Sequence, residues 1–394
     1  MRVLIAGGGI GGLTAALAFQ KLGHEVLLFE QAGILDEVGA GLQLSPNGMK
    51  VLNALGASAR VAKDAFRPKA LEMRMGKSGR LLFDIPLRKA AINRWGADYL
   101  HVHRADLVEA LKEVLLERAP NALMLGRKLV SYGQTGSGVT ARFDTGEQVE
   151  GDVLVGADGI HSTVRTQMLG EDAPRYTGMT AWRAVAPVSE LGDQSVPSTA
   201  CVWVGSRRHA VTYRLRGGSL ANFVGVVERK QKHLESWTAT GSREDALKDF
   251  RRWNPAVTSI IEKADTLHRW ALYDRSELPR WHEGRVVLLG DACHPMLPFL
   301  AQGAVMAIED AYVLARELSG DGPVEDALSR YEAVRKPRAS KVQAGARANA
   351  KLFHKGNPVT QLSTYGPMWM AGRMMQPFIH SRNDWLYGHD VTQT

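Results

Sequence analysis

The chain has 394 residues, of which 45% are hydrophobic and 23% charged, with a formal net charge of +8 and two cysteines. This composition is typical of a globular protein of about two domains. Cys201 and Cys293 lie far apart and in no metal-ligand or Cys-x-x-Cys spacing. They argue against a disulfide scaffold, a metal or iron–sulfur site and a redox dithiol, and they favour a reducing compartment.

The positive charge does not indicate a nucleic-acid-binding protein. Basic residues are dispersed, with local clusters at Arg207–Arg208, Lys230–Lys232, Arg251–Arg252 and Arg335–Arg338. None of these clusters interleaves with aromatic residues in a recognisable binding module. A solvated basic surface that attracts anionic ligands fits the pattern better.

The N-terminus reads as a strand, a turn and a helix. The run from Val3 to Gln20 is uncharged and about as long as a membrane span, but it contains five glycines. Arg2–Ala6 is typical of a buried strand, Ile10–Leu22 has helical apolar spacing, and Glu25–Glu30 reads as the next parallel strand. We therefore expect no integral membrane segment and a cytoplasmic protein.

A dinucleotide-binding pattern lies in this first turn. Gly7, Gly9 and Gly12 form Gly-x-Gly-x-x-Gly between the predicted strand and helix. The first glycine allows a tight turn, the second lets the backbone approach a pyrophosphate, and the third allows close helix–strand packing. Glu30, at the end of the second strand, can accept a hydrogen bond from a ribose hydroxyl. The pattern alone does not separate FAD from NAD.

Later elements suggest a discontinuous cofactor domain. Asp106, with Glu109 three residues on, predicts a helix start, and 139–158 reads as a hairpin around Asp144–Gly146 running into a strand. From about Tyr176 to Arg280 the pattern is β-rich. The predicted division is a cofactor domain at 1–70, 98–175 and 281–345, a substrate domain at 71–97 and 176–280, and C-terminal helices at 346–394.

Further motifs carry a family resemblance over almost the whole chain. They are Asp158–Gly159 within Gly156 to Arg165, Gly290–Asp291 with six residues before Pro298, Phe299 to Ala304, His103 to Leu107, and Trp385 to Gly388. With the glycine motif, they make the chain resemble the class A flavoprotein monooxygenases, which include para-hydroxybenzoate, salicylate and 3-hydroxybenzoate hydroxylases. The resemblance implies an α/β fold: a Rossmann-like FAD-binding domain with an inserted β-sheet substrate domain and C-terminal helices.

The resemblance also implies the cofactors and the residues that hold them. FAD is bound, and NAD(P)H visits transiently without a Rossmann domain of its own. Arg104 should reach the FAD pyrophosphate and Asp291 the ribityl chain. The full implied set is Gly7, Gly9, Gly12, Glu30, Gln31, Gln43, Arg104, Leu129, Asp158, Gly159, Asp291, Pro298, Gly303, Ala304 and Val305. Gly39–Ala40–Gly41 is either a hinge for flavin movement or an ordinary turn.

The implied chemistry is hydroxylation by a flavin hydroperoxide formed with dioxygen. A base is needed to ionise a ring hydroxyl of the substrate at neutral pH. His209 and Tyr213 are four residues apart on a predicted strand, so their side chains share a face. A histidine on a strand is by itself more typical of a structural hydrogen bond. The resemblance instead implies a catalytic pair, with Cys201, Phe299 and Gln302 lining the substrate pocket.

The expected substrate is a small hydroxylated aromatic acid such as salicylate, 3-hydroxybenzoate or 6-hydroxynicotinate, hydroxylated with or without loss of carbon dioxide. The segment from Gly290 to Asp310 reads most like the 6-hydroxynicotinate enzymes. Those enzymes have histidines where this chain has Gln43 and Phe299, which favours a benzenoid ring. The alternative function is an FAD-dependent dehydrogenase or reductase on the same scaffold. A monomer or a homodimer is expected.

Overall fold

The structure is a computed structural model that describes residues 1–35, 41–194, 196–229 and 240–393. Its strands are β1 (Arg2–Ala6), β2 (Glu25–Glu30), β3 (Gly41–Leu44), β4 (Ala70–Met75), β5 (Leu81–Pro86), β6 (Leu100–His103), β7 (Leu123–Leu125), β8 (Leu129–Gln134), β9 (Val139–Phe143), β10 (Gln148–Gly151), β11 (Val153–Gly156), β12 (Arg175–Pro187), β13 (Ala200–Gly205), β14 (Arg208–Leu215), β15 (Leu220–Glu228), β16 (Leu267–Asp274), β17 (His282–Glu283) and β18 (Val286–Leu288). Its α-helices are α1 (Ile10–Lys21), α2 (Pro46–Ala54), α3 (Ser58–Val61), α4 (Lys89–Trp95), α5 (Arg104–Arg118), α6 (Thr163–Leu169), α7 (Arg243–Asp249), α8 (Pro255–Lys263), α9 (Gly303–Leu318), α10 (Val324–Phe353), α11 (Pro358–Met374), α12 (Gln376–Ser381) and α13 (Asp384–Tyr387).

The first sheet is mostly parallel, in the order β17-β18-β11-β1-β2-β7. Strand β1 runs parallel to both β2 and β11, and only the edge pair β17–β18 is antiparallel. Val3, Leu4 and Ile5 of β1 are fully buried, as is usual for a parallel strand that is covered on both faces. Helix α1 packs against α5 and α9. This sheet confirms the predicted Rossmann-like half of the fold.

The apolar N-terminal run is divided as the sequence predicts. Strand β1 ends at Ala6 and α1 begins at Ile10, so no continuous helix forms there. Within the described ranges, no helix has the length and apolarity needed to cross a membrane.

The second sheet has the order β16-β12-β15-β14-β13-β4-β5, with strands from residues 70–86 and 175–274. Its neighbours are antiparallel except for β13 and β4. The region predicted as β-rich also contains α7 and α8, which cover one face of this sheet. The core on that face includes Trp182, Cys201, Trp203, Phe223, Phe250 and Ile260. The opposite face is therefore left for contacts with the rest of the chain.

Helix α5 begins two residues before the predicted start at Asp106. Its N-cap is His103, and no side chain caps the first turn. The Asp106 carboxylate instead accepts hydrogen bonds from Arg216 Nε and Nη2, at 3.0 and 2.7 Å. The prediction that Asp106 opens the helix is wrong because its carboxylate pairs with Arg216, in the turn between β14 and β15.

The predicted hairpin is present. Strands β9 and β10 pair antiparallel, and β11 follows directly. Gly146 turns the chain with a φ of 84°, and its N–H donates to the Phe143 carbonyl at 3.0 Å. A positive φ at this position is easily adopted only by glycine.

The C-terminal helices do not begin at residue 346, where the sequence placed a boundary. Helix α10 continues without a break from Val324 to Phe353. Helix α11 then packs against β5 of the second sheet. One long helix thus connects the two sheet regions.

A buried ion cluster joins α9 to α10. Arg335 is fully buried and donates to Glu309 and Asp310, each at 2.7 Å. Burial alone would lower the pKa of Arg335, but the two carboxylates raise it. Asp310 also contacts His294. Burial would raise the pKa of Asp310, but His294 and Arg335 together hold it at about 2. The cluster is therefore charged throughout the neutral pH range.

We expect Arg335→Met to destabilise the protein by about 3–5 kcal/mol, because it leaves carboxylates buried without their main cation. Denaturant unfolding of the purified variant measures this loss. Arg330→Met is the matched control. Arg330 lies on α10 like Arg335 and pairs with Glu317 of α9 at 3.0 Å, but its side chain is about half exposed. That control should cost less than about 1 kcal/mol. Equal losses in the two variants would contradict a special role for the cluster.

Candidate active site

A cavity of about 660 Å³ lies between the strand ends of the first sheet and the open face of the second. This volume is in the range of small-molecule and cofactor sites. The carboxyl ends of parallel strands are the usual ligand crevice of such a sheet. The cavity walls come from the turn after β1, the turn after β11, the segment before α9, the second sheet and the C-terminal helices.

The glycine turn after β1 forms one end of the cavity. Gly7 has a φ of 106°, and a Cβ on Gly12 would lie 1.9 Å from the Gly7 carbonyl oxygen. A Cβ on Gly9 would meet no atom within 4 Å, and Gly9 lines the cavity. No side chain caps α1, so its first amides are available to an anion such as a phosphate.

Glu30 braces this turn. Its Oε2 accepts the Gly8 N–H at 2.7 Å, and its Oε1 accepts the Ala32 N–H at 2.8 Å. A ribose contact by the same carboxylate stays a prediction. Gln31, the next residue, is exposed.

Arg104 and Asp291 both line the cavity, and their contacts with the pyrophosphate and the ribityl chain stay predictions. Arg104 is the first residue of α5, and Asp291 follows β18. Burial lowers the pKa of Arg104, and the carboxylate of Asp291 opposes this shift. The pair supplies one guanidinium and one carboxylate to the cavity wall.

Asp158 and Gly159 lie in the turn after β11. Asp158 Oδ2 accepts the Val164 N–H at 3.1 Å, and burial raises the pKa of this carboxyl despite its hydrogen bonds. Gly159 has a φ of 75° and lines the cavity. Asp158 therefore holds the turn, and the Gly159 backbone reaches the cavity.

The segment before α9 forms another part of the cavity wall. Pro298, Gly303 and Ala304 line the cavity there. Helix α9 begins at Gly303, and its N-cap, Gln302, makes no side-chain cap bond. The first turn of α9 thus offers amides and a positive dipole end to a ligand.

His209 and Tyr213 both line the cavity from β14, with Val211 between them. The alternate residue Ala210 packs in the core on the other face, which is the expected strand alternation. His209 Nδ1 lies 2.7 Å from His354 Nε2, and its ring packs edge-on against Phe299 at 5.1 Å. Burial lowers the pKa of His209 well below its usual value. His209 is therefore a neutral imidazole that faces the cavity.

Two glutamines and Phe299 complete the pocket wall. Gln43 accepts a hydrogen bond from the Tyr99 hydroxyl at 2.6 Å. Gln302 is buried, with its Oε1 at 3.2 Å from Asn47 Nδ2 and its Nε2 at 2.9 Å from Ser45 Oγ. Phe299, Gln302 and Gln43 all line the cavity.

Cys201 does not lie in the pocket. On β13 it pairs with Thr212 and faces the core beneath α8, while its neighbour Val202 lines the cavity. The prediction that Cys201 lines the pocket is wrong because its side chain points to the opposite face of β13. Leu129 and Val305 are packed in the main core, and their side chains do not line the cavity either. Gly39 and Ala40 of the hinge prediction, and Lys230–Lys232, lie outside the described residues.

Sequence reasoning missed Arg183 and Trp270. Both line the cavity, and the Arg183 guanidinium lies 5.0 Å from the Trp270 ring centre. Burial lowers the pKa of Arg183 to about 10, so it remains charged at neutral pH. The signal available in the sequence is one arginine inside the otherwise apolar strand segment Ala181–Ala186.

Cys293, His294 and Asp310 place potential ligand atoms within 4.8 Å of one another behind this wall. Burial opposes protonation of His294, but its contacts with Cys293 and Asp310 raise the pKa of His294. Arg335 and protonated His294 supply positive charges beside Asp310. Asp310 also accepts the N–H of Gly290, which lines the cavity, at 3.2 Å.

Comparison with known proteins identifies relatives of the whole chain. Residues 1–346 match the family model described as an FAD binding domain. The chain is 35% identical over 394 residues to a 3-amino-4-hydroxybenzoate 2-monooxygenase of Streptomyces platensis, covering 99% of this chain and 96% of the relative. It is 37% identical over 363 residues to a 6-hydroxynicotinate 3-monooxygenase of Pseudomonas fluorescens, covering 91% and 93%. It is 33% identical over 390 residues to a 3-hydroxybenzoate 6-hydroxylase of Klebsiella oxytoca, covering 98% and 96%.

Solved structures have the same fold. Klebsiella pneumoniae HpxO complexed with FAD and uric acid gives a TM-score of 0.84 at 27% identity, covering 96% of this chain and 95% of that one. A salicylate hydroxylase substrate complex gives a TM-score of 0.82 at 26% identity, covering 100% and 96%.

The cavity fits FAD. The α1 end leaves open space at Gly9 for a pyrophosphate, and Arg104 supplies a cation along the same wall. Asp291 can accept from ribityl hydroxyls, and the uncapped start of α9 can face the electron-rich edge of the flavin ring. The same cavity continues to His209 and Tyr213.

We expect Gly9→Ala and Gly12→Ala to fail in different ways. Gly12→Ala forces a methyl group into the Gly7 carbonyl, so it should lower the unfolding free energy as well as FAD content. Gly9→Ala meets open space, so it should keep stability within about 0.5 kcal/mol but weaken FAD binding. Flavin absorbance of the purified variants measures FAD content, and denaturant unfolding measures their stability. Full FAD content in Gly9→Ala would contradict the assignment of this turn to the pyrophosphate.

Proposed function

We propose that this chain, which belongs to the family of FAD-dependent aromatic monooxygenases, hydroxylates a small aromatic carboxylate that already carries a ring hydroxyl. The observation that carries the proposal is the placement of His209 and Tyr213 in the same cavity as the dinucleotide turn. When bound, FAD supplies the oxygen-activating chemistry with NAD(P)H and dioxygen.

The pocket beyond the flavin site suits an apolar ring. Its walls are largely apolar and include Leu71, Met73, Phe83, Ile85, Val211 and Val224. Such walls exclude water, which protects reactive oxygen species from unproductive decay. A single aromatic ring is the substrate that this lining favours.

His209 is the proposed base for the ring hydroxyl. The contact with His354 occupies Nδ1, which leaves Nε2 of His209 for a ligand in the cavity. Burial lowers the pKa of His209, so the ring is neutral, and in the tautomer that donates Nδ1–H to His354 the Nε2 atom can accept a proton. Burial raises the pKa of Tyr213, with the Arg183 charge opposing, so Tyr213 stays a hydrogen-bond donor. Together they can polarise and then deprotonate a phenol.

The printed names of the relatives support the substrate class. Aminohydroxybenzoate, hydroxynicotinate and hydroxybenzoate each combine a ring hydroxyl with a carboxylate. The side chains of Gln43 and Phe299 favour a benzenoid over a pyridine ring. The dehydrogenase alternative has no support among these relatives, which are named as monooxygenases or hydroxylases.

Arg183 is the proposed partner of the substrate carboxylate. It is charged at neutral pH, lines the cavity and is held over the Trp270 ring. On this basis the second sheet forms the substrate domain, and the first sheet forms the FAD domain.

A screen of hydroxylated aromatic acids tests the function. We expect at least one of salicylate, 3-hydroxybenzoate, 6-hydroxynicotinate and 3-amino-4-hydroxybenzoate to stimulate NADH or NADPH oxidation. Its product should gain one atom of ¹⁸O from labelled dioxygen, as measured by mass spectrometry. Benzoate, which lacks the ring hydroxyl, is the control. Turnover with an artificial electron acceptor under anaerobic conditions, without labelled product in air, would support the dehydrogenase alternative instead.

Arg183→Met tests the carboxylate contact. Losing one charge-assisted hydrogen bond costs about 1.5–3 kcal/mol, so KM for the acid should rise about 10- to 100-fold. The carboxamide analogue of the same substrate should show a much smaller change between the two enzymes. Arg175→Met, an exposed arginine at the start of the same strand, is the matched control. Equal changes for acid and amide would remove Arg183 from carboxylate binding.

A further inference from the structure

We propose that His354 carries the substrate proton from His209 in the cavity to Glu228 at the protein surface. This inference rests on the proposed function, since it assumes that a ring hydroxyl gives its proton to His209. It assigns a role to the end of α10, which lies outside the motifs of the sequence.

A continuous line of polar contacts supports the path. His209 Nδ1 lies 2.7 Å from His354 Nε2, and His354 Nδ1 lies 3.3 Å from Glu228 Oε1. His209 is 1% exposed and His354 8%, whereas the Glu228 side chain is 40% exposed. The three side chains therefore connect the cavity wall to solvent through an apolar region formed by Phe299 and Phe353.

The environment of His209 gives a reason for such a path. Its ring is enclosed by Phe299, Phe353 and the His354 ring, with centroid separations of 4.9–5.1 Å. Burial, with His354 as a second cause, lowers the pKa of His209. An imidazolium in this position is costly, so a proton accepted from the substrate must move on.

The charged groups around His354 set the direction of transfer. Burial lowers the pKa of His354 to about 4, and Arg208 acts in the same direction. Glu228 is the carboxylate that faces His354, and Arg207 lies 3.9 Å from its other oxygen. Both imidazoles are thus neutral at neutral pH, and the acceptor at the outer end is an anion in contact with solvent.

The proton transfers balance if each imidazole ring carries one N–H before and after the transfer. The substrate O–H bond breaks, and its proton bonds to His209 Nε2. The Nδ1 proton of His209 passes to His354 Nε2, and the Nδ1 proton of His354 passes to the Glu228 carboxylate and then to water. The electron pair of the broken O–H bond stays on the substrate oxygen as a phenolate. Return of the rings to their starting tautomers reverses these shifts when the product is protonated.

The experiment follows ionisation of a bound phenol without any oxygen chemistry. The probe is 4-hydroxy-3-nitrobenzoate, whose absorbance changes when its ring hydroxyl ionises. It is mixed in a stopped-flow instrument with the FAD-loaded enzyme, anaerobically and without NAD(P)H. A pH-indicator dye reports the proton that reaches the solvent.

At a pH low enough that the free probe still carries its phenol proton, the wild-type protein should form the phenolate and release one proton per bound probe at the same rate. His354→Gln should slow both signals at least about 10-fold, since it removes a proton carrier. The probe Kd should change by less than about threefold, which is less than 1 kcal/mol. In His354→Ala, added imidazole should restore the rate. Glu228→Gln should have a smaller effect, because water can replace an exposed acceptor.

Tyr365→Phe is the matched control for the local structure. The Tyr365 hydroxyl donates to the Leu352 carbonyl at 2.9 Å, at the same end of α10 but outside the path. It should behave as the wild type.

Wild-type rates in both His354 variants, with the probe bound, would overturn the relay and leave the proposed hydroxylation intact. Slowing in Tyr365→Phe that equals the slowing in His354→Gln, or no rescue by imidazole, would also overturn it. Failure of the probe to bind wild-type enzyme, together with no labelled product in the substrate screen, would refute the proposed function and the relay with it.

Discussion

The buried contacts of Asp310 are the constraint on which the cavity depends. This carboxylate accepts the Gly290 N–H at 3.2 Å, bonds to His294, and pairs with Arg335 at 2.7 Å. It thereby joins the turn that carries Asp291 to α10, whose C-terminal part from Gly345 to Phe353 contributes to the cavity lining. Further along that helix, Gln343 donates to the Pro295 carbonyl and Asn349 to the Phe299 carbonyl, both at 2.9 Å. The cofactor wall and the substrate wall are thus held by one element, so their relative position is set by charge pairs in a dry interior.

That shared support explains how one cavity can serve two unlike ligands. The end near α1 and α5 offers amides, glycine backbone and Arg104, which suit a phosphate-bearing cofactor. The end near β14 offers apolar side chains with His209 and Tyr213 as the polar groups of the strand. A phenol placed there meets a neutral acceptor and a neutral donor, which is the arrangement that promotes ionisation without burying a second charge. The cation of this region is Arg183, whose charge acts on Tyr213, so the two neutral groups of β14 lie beside one cation.

The features that could be predicted from the sequence are those determined by neighbouring residues in the chain. The glycine turn at Gly7–Gly12 was predictable because a φ of 106° and a 1.9 Å approach exclude any other residue. The shared face of His209 and Tyr213 followed from strand alternation alone. Cys201 was misplaced because the face on which its side chain lies depends on how β13 pairs with β14. A single sequence does not reveal that pairing. Asp106 was misread because its partner, Arg216, lies 110 residues away. Arg183 and His354 were missed for the same reason, since both enter the site through long-range packing.

As the proposed base, the buried His209 needs a route for its proton as well as a nearby substrate. A solvent-exposed histidine exchanges its proton with water directly, but His209 is enclosed by aromatic rings and has a lowered pKa. The apolar walls that exclude water from the reaction also remove the route by which the base would lose its proton. A second imidazole reconciles these two demands, because it conducts a proton without admitting a water molecule. In the proposed relay, the position at which α10 ends matters because it places His354 beside His209 of β14.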